Sequence, residues 1–343
     1  MSEHDYNVSL RNAINALSSL NPLRSRRIKP IPDNSVNLQV TLWPAFDHFS
    51  RFAMDNRVQG IRLNSAMMAA AEINADFVRK SKVAKVPLWF DIKGMQLRIR
   101  EIVCDESCDH LEFILNRPIK CNVPCPVWFK GGEDCAKLIE IKNGTHLIFE
   151  GGPHNTVKVG ESLHIRNLEL EVGGPTFLDY EIEKIQRVIN LGFNRYYLSY
   201  VYSQKHVDEF REFIGPDAEL YLKIENKLGL NYIADEFKPS SNTHLAAALG
   251  DLFVEVDRPH QILQAVKLVI EKDPAAVVGS RMLLSMCNDK AEPSCADLTQ
   301  LSWFYDIGFR NFLLCDELCL KETWLGSAIR VFESVRDTYF KAK

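Results

Sequence analysis

The sequence predicts an α/β protein, a (β/α)8 TIM barrel with a small β domain inserted after its third strand. Strand-like apolar runs alternate with segments of helical periodicity, the pattern of parallel βα units joined by right-handed crossovers. Counting those runs gives three strands, an interruption and five more, and eight parallel units close naturally as a barrel. The interruption, residues 99–174, is rich in Val, Ile, Pro and Gly pairs. It carries Asn143-Gly144 between two apolar runs, a hairpin signal. The expected division is residues 1–98 for the first part of the barrel, 99–174 for the insertion and 175–343 for the remainder.

In chain order, Leu10, Ala13, Ile14 and Leu17 share one helical face over residues 8–20, and Asn21-Pro22 ends that helix. Strands are expected at 38–42, 58–63 and 86–92, with helices over 44–56 and 66–80 between them. After the interruption, helices at 180–190 and 205–214 alternate with strands at 195–201 and 219–224. Strands at 245–248, 275–280 and 310–314 complete the count, each followed by a helical stretch. Pro293-Ser294-Cys295-Ala296-Asp297 reads as a helix start with its cap.

Bulk properties narrow the function. The chain has 343 residues and a net charge of −4, with no broad basic excess that would suggest a nucleic-acid partner. The basic run Arg24, Arg26, Arg27 and Lys29 is short and reads as a solvated linker. No apolar stretch is long enough to span a membrane, and the N-terminus lacks a secretory pattern. Nine scattered cysteines, an odd number, favour reduced thiols and a cytoplasmic setting. No Walker A loop and no Gly-x-Gly-x-x-Gly fingerprint is present.

The chemistry concentrates at strand ends. Lys223 and Glu225, two apart at the end of an apolar strand, face the same side, where a charged pair is costly to bury without a task. Lys223-Ile224-Glu225-Asn226, with Gly229 three residues on, resembles the pyruvate kinase motif Lys-Ile-Glu-Asn-x-x-Gly. Ala248-Leu249-Gly250-Asp251-Leu252-Phe253-Val254-Glu255 is similar to that family's Ala-Arg-Gly-Asp-Leu-Gly-Val-Glu, in the right order and spacing. Thr41 with Pro44-Ala45, Arg62-Leu63-Asn64, Asp91 with Lys93-Gly94 and Arg98, Ser199, Ser280 with Met282-Leu283, and Glu317 fit the family's other strand ends. The resemblance covers residues 36–98 and 175–335, and that family carries its mobile β lid at the point of the interruption.

The resemblance implies a metal-dependent transfer of phosphoryl between phosphoenolpyruvate and a nucleoside diphosphate. Lys223, Arg62 and Ser280 would be catalytic. Asn64, Arg98, Lys93, Ser199, Gly250 and Asp251 would bind substrate or nucleotide. Glu225 and Asp251 would hold Mg²⁺ or Mn²⁺. The Gly250 backbone could approach a substrate carboxylate, as glycine allows. Asn64 and Asp91 would belong to a K⁺ site, but Ala66 and Ile92 stand where that site has hydroxyls and Gln96 where it has a glutamate, so the set is incomplete. Trp43, Leu249 and Phe253 also depart from the family. Leu249, Ile92 and Phe253 leave open enolate chemistry of lyase or aldolase type on pyruvate or another 2-oxo acid, or a degenerate metabolite sensor. Expected partners are these small molecules, with a homo-oligomer left open. The chain ends at Lys343, so the family's C-terminal regulatory domain, and activation by a sugar phosphate, are not expected. Cys104, Cys108, Cys121 and Cys125 could supply four thiolates to Zn²⁺, but their spacing has three intervening residues rather than two, which favours core or hairpin roles.

Overall fold

The computed structural model describes residues 35–103, 110–167, 169–288 and 292–341. The expected helix at 8–20, the basic run Arg24–Lys29, and Cys104 and Cys108 lie outside them. The chain divides into two compact units, Met1–Ser35 and Val36–Lys343, and the second holds everything described below.

Strands β1 (Asn37–Thr41), β2 (Gly60–Asn64) and β3 (Leu88–Ile92) begin a closed barrel. Eight further strands follow: β4 (Ile99–Val103), β5 (His110–Leu115), β6 (Ile119–Lys120), β7 (Cys125–Phe129), β8 (Asp134–Lys142), β9 (His146–Glu150), β10 (His164–Ile165) and β11 (Glu171–Val172). The barrel resumes with β12 (Arg195–Leu198), β13 (Glu219–Ile224), β14 (Thr243–Ala248), β15 (Val277–Gly279) and β16 (Asn311–Leu313). Its eight strands are all parallel, and β1 closes on β16.

Period-two alternation decides what each strand residue does. Leu38, Val40, Ile61, Leu63, Phe90, Ile92, Leu198, Leu220, Leu222, Ile224, Leu245, Val278 and Phe312 face outward and join one apolar core with the surrounding helices. The intervening positions face the barrel interior. Trp89, Tyr197, Tyr221, Ala246, Val277 and Leu313 fill it as a separate cluster, with the Tyr197 hydroxyl donating to Gln39 Oε1 at 2.7 Å. One step further along the same strands, the inward positions become Arg62, Asp91, Ser199 and Lys223. The polar floor of the mouth is thus the next layer above an apolar plug.

Between β3 and β12 the chain forms an antiparallel sheet in the order β10-β7-β8-β9-β5-β4, with β6 and β11 paired separately. It has its own core, centred on Phe113, Phe129 and Phe149. The Asn143-Gly144 turn is present, with both residues at positive φ and the Thr145 N–H donating to the Lys142 carbonyl.

Several element boundaries differ from expectation. The helix expected over 44–56 is only Phe49–Ala53, because Trp43 and Phe46 carbonyls accept turn bonds from Phe46 and Phe49. The helix expected over 66–80 is two 3-10 turns followed by Ala75–Ser81. The Asn64 side chain caps the first turn and Asn74 the final helix, each offering the backbone a local alternative to a continuous helix. β12 and β15 stop short of 201 and 280 because Tyr200, Ser280 and Arg281 turn the chain at positive φ. The Ser294 cap is as expected, its hydroxyl accepting from Asp297 N–H at 3.1 Å. No helix among the described residues is long and apolar enough to cross a membrane.

Arg117, 0% exposed, ties the exit from the barrel to the return. Its Nη2 donates to the Gly94 carbonyl at 2.7 Å on the way out and to the Thr176 carbonyl at 2.9 Å on the way back, and Nη1 donates to the Pro175 carbonyl. Glu181, at 3.3 Å, supplies the counter-charge. Arg117→Met strands Glu181 in the interior. Urea unfolding should show a loss of about 3–5 kcal/mol, the scale for breaking a buried pair; a loss near zero would mean the guanidinium is not what joins these crossings.

Candidate active site

The inward charges meet on Asp91, which is fully buried at the end of β3. Its Oδ2 accepts from Arg62 Nε at 2.9 Å and from Lys93 Nζ at 2.7 Å, and lies 3.6 Å from Lys223 Nζ. Its Oδ1 accepts from the Ser199 hydroxyl at 3.1 Å. Burial opposes charge on Asp91, but Lys223, Lys93 and Arg62 together hold its carboxyl far below the usual carboxylate range. Arg62 also donates to Thr41 Oγ1 at 3.1 Å and to Asp316 at 3.2 Å, and Asn64 Nδ2 donates to the same Asp316. Burial lowers the Lys93 ammonium's affinity for its proton more than Asp91 restores it. Lys223 has the opposite balance: Asp91 and Glu225 outweigh burial and keep it charged.

A second group adjoins the first. Lys223 Nζ donates to Ser199 Oγ at 2.8 Å and sits 2.8 Å from Glu225 Oε1. Glu225 is fully buried, and its Oε2 accepts from the Tyr200 N–H at 2.7 Å. Oε1 has the Lys223 charge beside it but no hydrogen-bond partner among the described residues. Burial raises the Glu225 pKa despite Lys223, and the adjacent Asp251 carboxylate raises it further. The Glu225 proton is held more tightly and that of Asp251 less tightly, so the pair shares its charge unequally.

The glycines of these motifs have steric reasons. Asn226 caps the helix Lys227–Asp235 by accepting from the Gly229 N–H at 2.8 Å, and a Cβ at Gly229 would meet the Val201 carbonyl at 2.8 Å. Gly94 has φ +51°, and a Cβ there would meet the Ser199 carbonyl at 2.9 Å.

These groups line a cavity of about 350 Å³ at the C-terminal end of the barrel. Arg62, Asn64, Lys93, Arg98, Lys223, Glu225, Gly250, Asp251 and Ser280 all border it, and Asp91 and Ser199 support it from beneath. The Gly250 N–H donates to Ser280 Oγ at 2.8 Å. Asn64 is turned to Asp316 and to the following turn.

The antiparallel sheet supplies residues that sequence reasoning did not single out. His164, on β10, is 1% exposed and reaches the mouth with Nδ1 2.9 Å from Glu255 and Nε2 3.4 Å from Asp251. The Tyr200 hydroxyl lies 3.2 Å from the same Nδ1. Burial opposes protonation of this imidazole, but Glu255 and Asp251 prevail and raise its pKa. Arg281 donates to the Gly131 carbonyl and stacks 5.2 Å over Phe253, and Lys130 borders the cavity from the same side. His164, Asp316 and Arg281 have no spacing signature, because each meets its partners far away in sequence.

No protein-family model matches the chain, and no curated protein matches it. Among the described residues, no group of three or more His, Cys, Asp or Glu side chains is arranged to hold a metal by itself.

Asp91→Asn tests the charge hub. At neutral pH it should cost about 3–5 kcal/mol of stability, since the buried Arg62 and Lys223 cations lose their shared anion. Because the folded-state pKa is depressed below the ordinary 3.8, the stabilisation is complete above that value and fades as pH falls through the depressed pKa. The wild-type and variant unfolding curves should therefore converge in strong acid; a gap that does not change with pH would contradict the assignment.

Proposed function

We propose that this chain is a divalent-metal-dependent enzyme similar to pyruvate kinase, moving a phosphoryl group between phosphoenolpyruvate and a nucleoside diphosphate. The observation that carries this reading is that Glu225 and Asp251 border the same cavity, with Lys223 Nζ 2.8 Å from Glu225 Oε1. The buried Glu225 Oε1, ion-paired with Lys223 and otherwise without a hydrogen bond among the described residues, and the half-buried Asp251 would hold a Mg²⁺ or Mn²⁺ ion. When bound, the ion supplies Lewis-acid polarisation of a 2-oxo acid.

The protein's own groups do the rest. Lys223 holds a fixed positive charge where phosphoryl and enol oxygens gain charge, and Ser199 and Asp91 keep its ammonium in place. Arg62 is anchored by Asp91 and Asp316, so its guanidinium is oriented before a phosphoryl group arrives. The Ser280 hydroxyl, fixed by Gly250, borders the cavity at the end of β15 as the route for a proton to the methyl carbon through water. The antiparallel sheet would act as a lid, since it brings His164 and Lys130 to the cavity.

One observation favours a second reading, enolate chemistry on pyruvate or another small 2-oxo acid without phosphoryl transfer. The cavity lies at the small end of the range for ligand sites, and Arg281, stacked over Phe253, borders it. Pyruvate with Mg²⁺ in deuterated water separates the readings. Methyl-proton exchange together with transfer from phosphoenolpyruvate to ADP supports the kinase. Exchange alone supports the second reading. Absence of both would overturn both and leave a metabolite sensor. Lys223→Met should cut transfer roughly a hundred- to a thousandfold, the scale for one preorganised electrostatic group.

Replacing Glu225 and Asp251 together by alanine should abolish Mn²⁺ binding in calorimetry, and unchanged binding would refute the metal assignment. Activity should not depend on K⁺. Asp91 is already neutralised by Arg62, Lys93 and Lys223, and Ile92 and Ala66 offer no hydroxyl. A strong rise with K⁺ at constant ionic strength would contradict this.

A further inference from the structure

His164 stands where the antiparallel sheet meets the barrel. It opens β10, which pairs with β7 so that His164 lies opposite Trp128. Asp251 and Glu255, four residues apart on the short helix Leu249–Glu255, share one face of that helix. The imidazole sits between them, with Nδ1 2.9 Å from Glu255 Oε1 and Nε2 3.4 Å from Asp251 Oδ1. A ring with a carboxylate oxygen beside each nitrogen has an N–H to offer on both sides.

The same ring is tied to Glu225. His164, Glu225 and Asp251 all border the cavity. The Tyr200 hydroxyl lies 3.2 Å from His164 Nδ1, while the Tyr200 N–H donates to Glu225 Oε2 at 2.7 Å. Tyr200 makes both contacts at φ +53°, a conformation that a residue with a side chain keeps only where its surroundings hold it. The sheet also grips the helix beyond His164. Arg166 donates to the Val254 carbonyl, and a Cβ at Gly132 would meet Val254 Cγ2 at 3.0 Å.

We propose that His164 is a positioning residue for Asp251, holding the Oδ1 edge of its carboxylate from the inserted sheet so that the group is oriented before a divalent ion arrives. The inference rests on the reading that Glu225 and Asp251 hold that ion. A group that orients a ligating carboxylate governs metal affinity without touching the metal. Glu255, at the other nitrogen, offsets the positive charge of a ring that carries both protons, so Asp251 is held without a net cation being added beside the ion. Because His164 belongs to β10, the ion and the docked position of the sheet favour one another, by the reciprocity of linked equilibria.

The test is Mn²⁺ calorimetry on the full-length protein, joined to hydrogen–deuterium exchange read at residues 162–166. His164→Ala should weaken Mn²⁺ binding roughly ten- to a hundredfold, the range for removing a group that orients a metal ligand. His164→Gln, whose amide nitrogen can donate from nearly the same point as Nε2, should recover most of that loss. In the wild-type chain Mn²⁺ should slow exchange at 162–166, and in His164→Ala the slowing should disappear. A merely structural role would raise exchange with and without the ion alike and leave the affinity of the folded protein unchanged. If the wild-type protein binds no Mn²⁺, the reading of Glu225 and Asp251 fails and this inference with it. If Mn²⁺ binds and the double alanine variant of Glu225 and Asp251 abolishes it, that reading stands; His164→Ala binding as tightly as wild type, or His164→Gln binding no better than His164→Ala, then overturns the inference alone. Should neither His164 variant fold, the wild-type exchange decides: Mn²⁺ bound with no slowing at 162–166 overturns the proposal.

Discussion

The barrel mouth depends on one buried carboxylate. Asp91 receives Arg62 from β2 and Lys93 from just past the end of β3, and faces Lys223 from β13, all within 3.6 Å. Each of those cations is more than nine-tenths buried, so in a low-dielectric mouth they would repel one another strongly without a common anion. Asp91 thereby allows the Arg62 and Lys223 charges to stand beside the Lys93 amine beneath a cavity. Asp316 continues the network on the far side of Arg62 and fixes the second edge of its guanidinium. The result is a rigid electropositive floor next to an electronegative pair, Glu225 and Asp251. That juxtaposition makes metal-assisted chemistry on a small anion the reading the geometry supports best.

The antiparallel sheet belongs to the same electrostatic arrangement. Arg117 joins the two chain crossings at its base, while His164 brings an imidazole between Asp251 and Glu255 at its tip. Arg281 and Arg166 add contacts to backbone carbonyls on opposite sides of the gap. These links use donors that would otherwise be left unsatisfied on burial, so the sheet's position over the mouth is specific rather than a loose apolar contact.

Much of the architecture was legible because strand parity is written directly in the residues. In β13, Tyr221 and Lys223 alternate with Leu220, Leu222 and Ile224, and that two-residue period alone separates barrel interior from helix-facing core. The Lys-Ile-Glu-Asn stretch was readable for the same reason, and Gly229 now has a steric explanation in the Val201 carbonyl. His164 and Arg117 were not legible. Their partners lie 91 and 64 residues away, and a lone buried histidine or arginine carries no periodic signature. The helices expected over 44–56 and 66–80 were overextended because apolar spacing cannot reveal that turn bonds and asparagine side chains interrupt them.

The central claim is that Glu225, Asp251 and Lys223 form one centre for a divalent ion and an enol-like oxyanion. Crystals soaked with Mn²⁺ and oxalate, a planar mimic of enolpyruvate, test it most directly through the anomalous signal of manganese. The account predicts a single strong peak touching both carboxylates, with oxalate beside Lys223. Manganese bound elsewhere, or oxalate held in the cavity with no ion between Glu225 and Asp251, would contradict it.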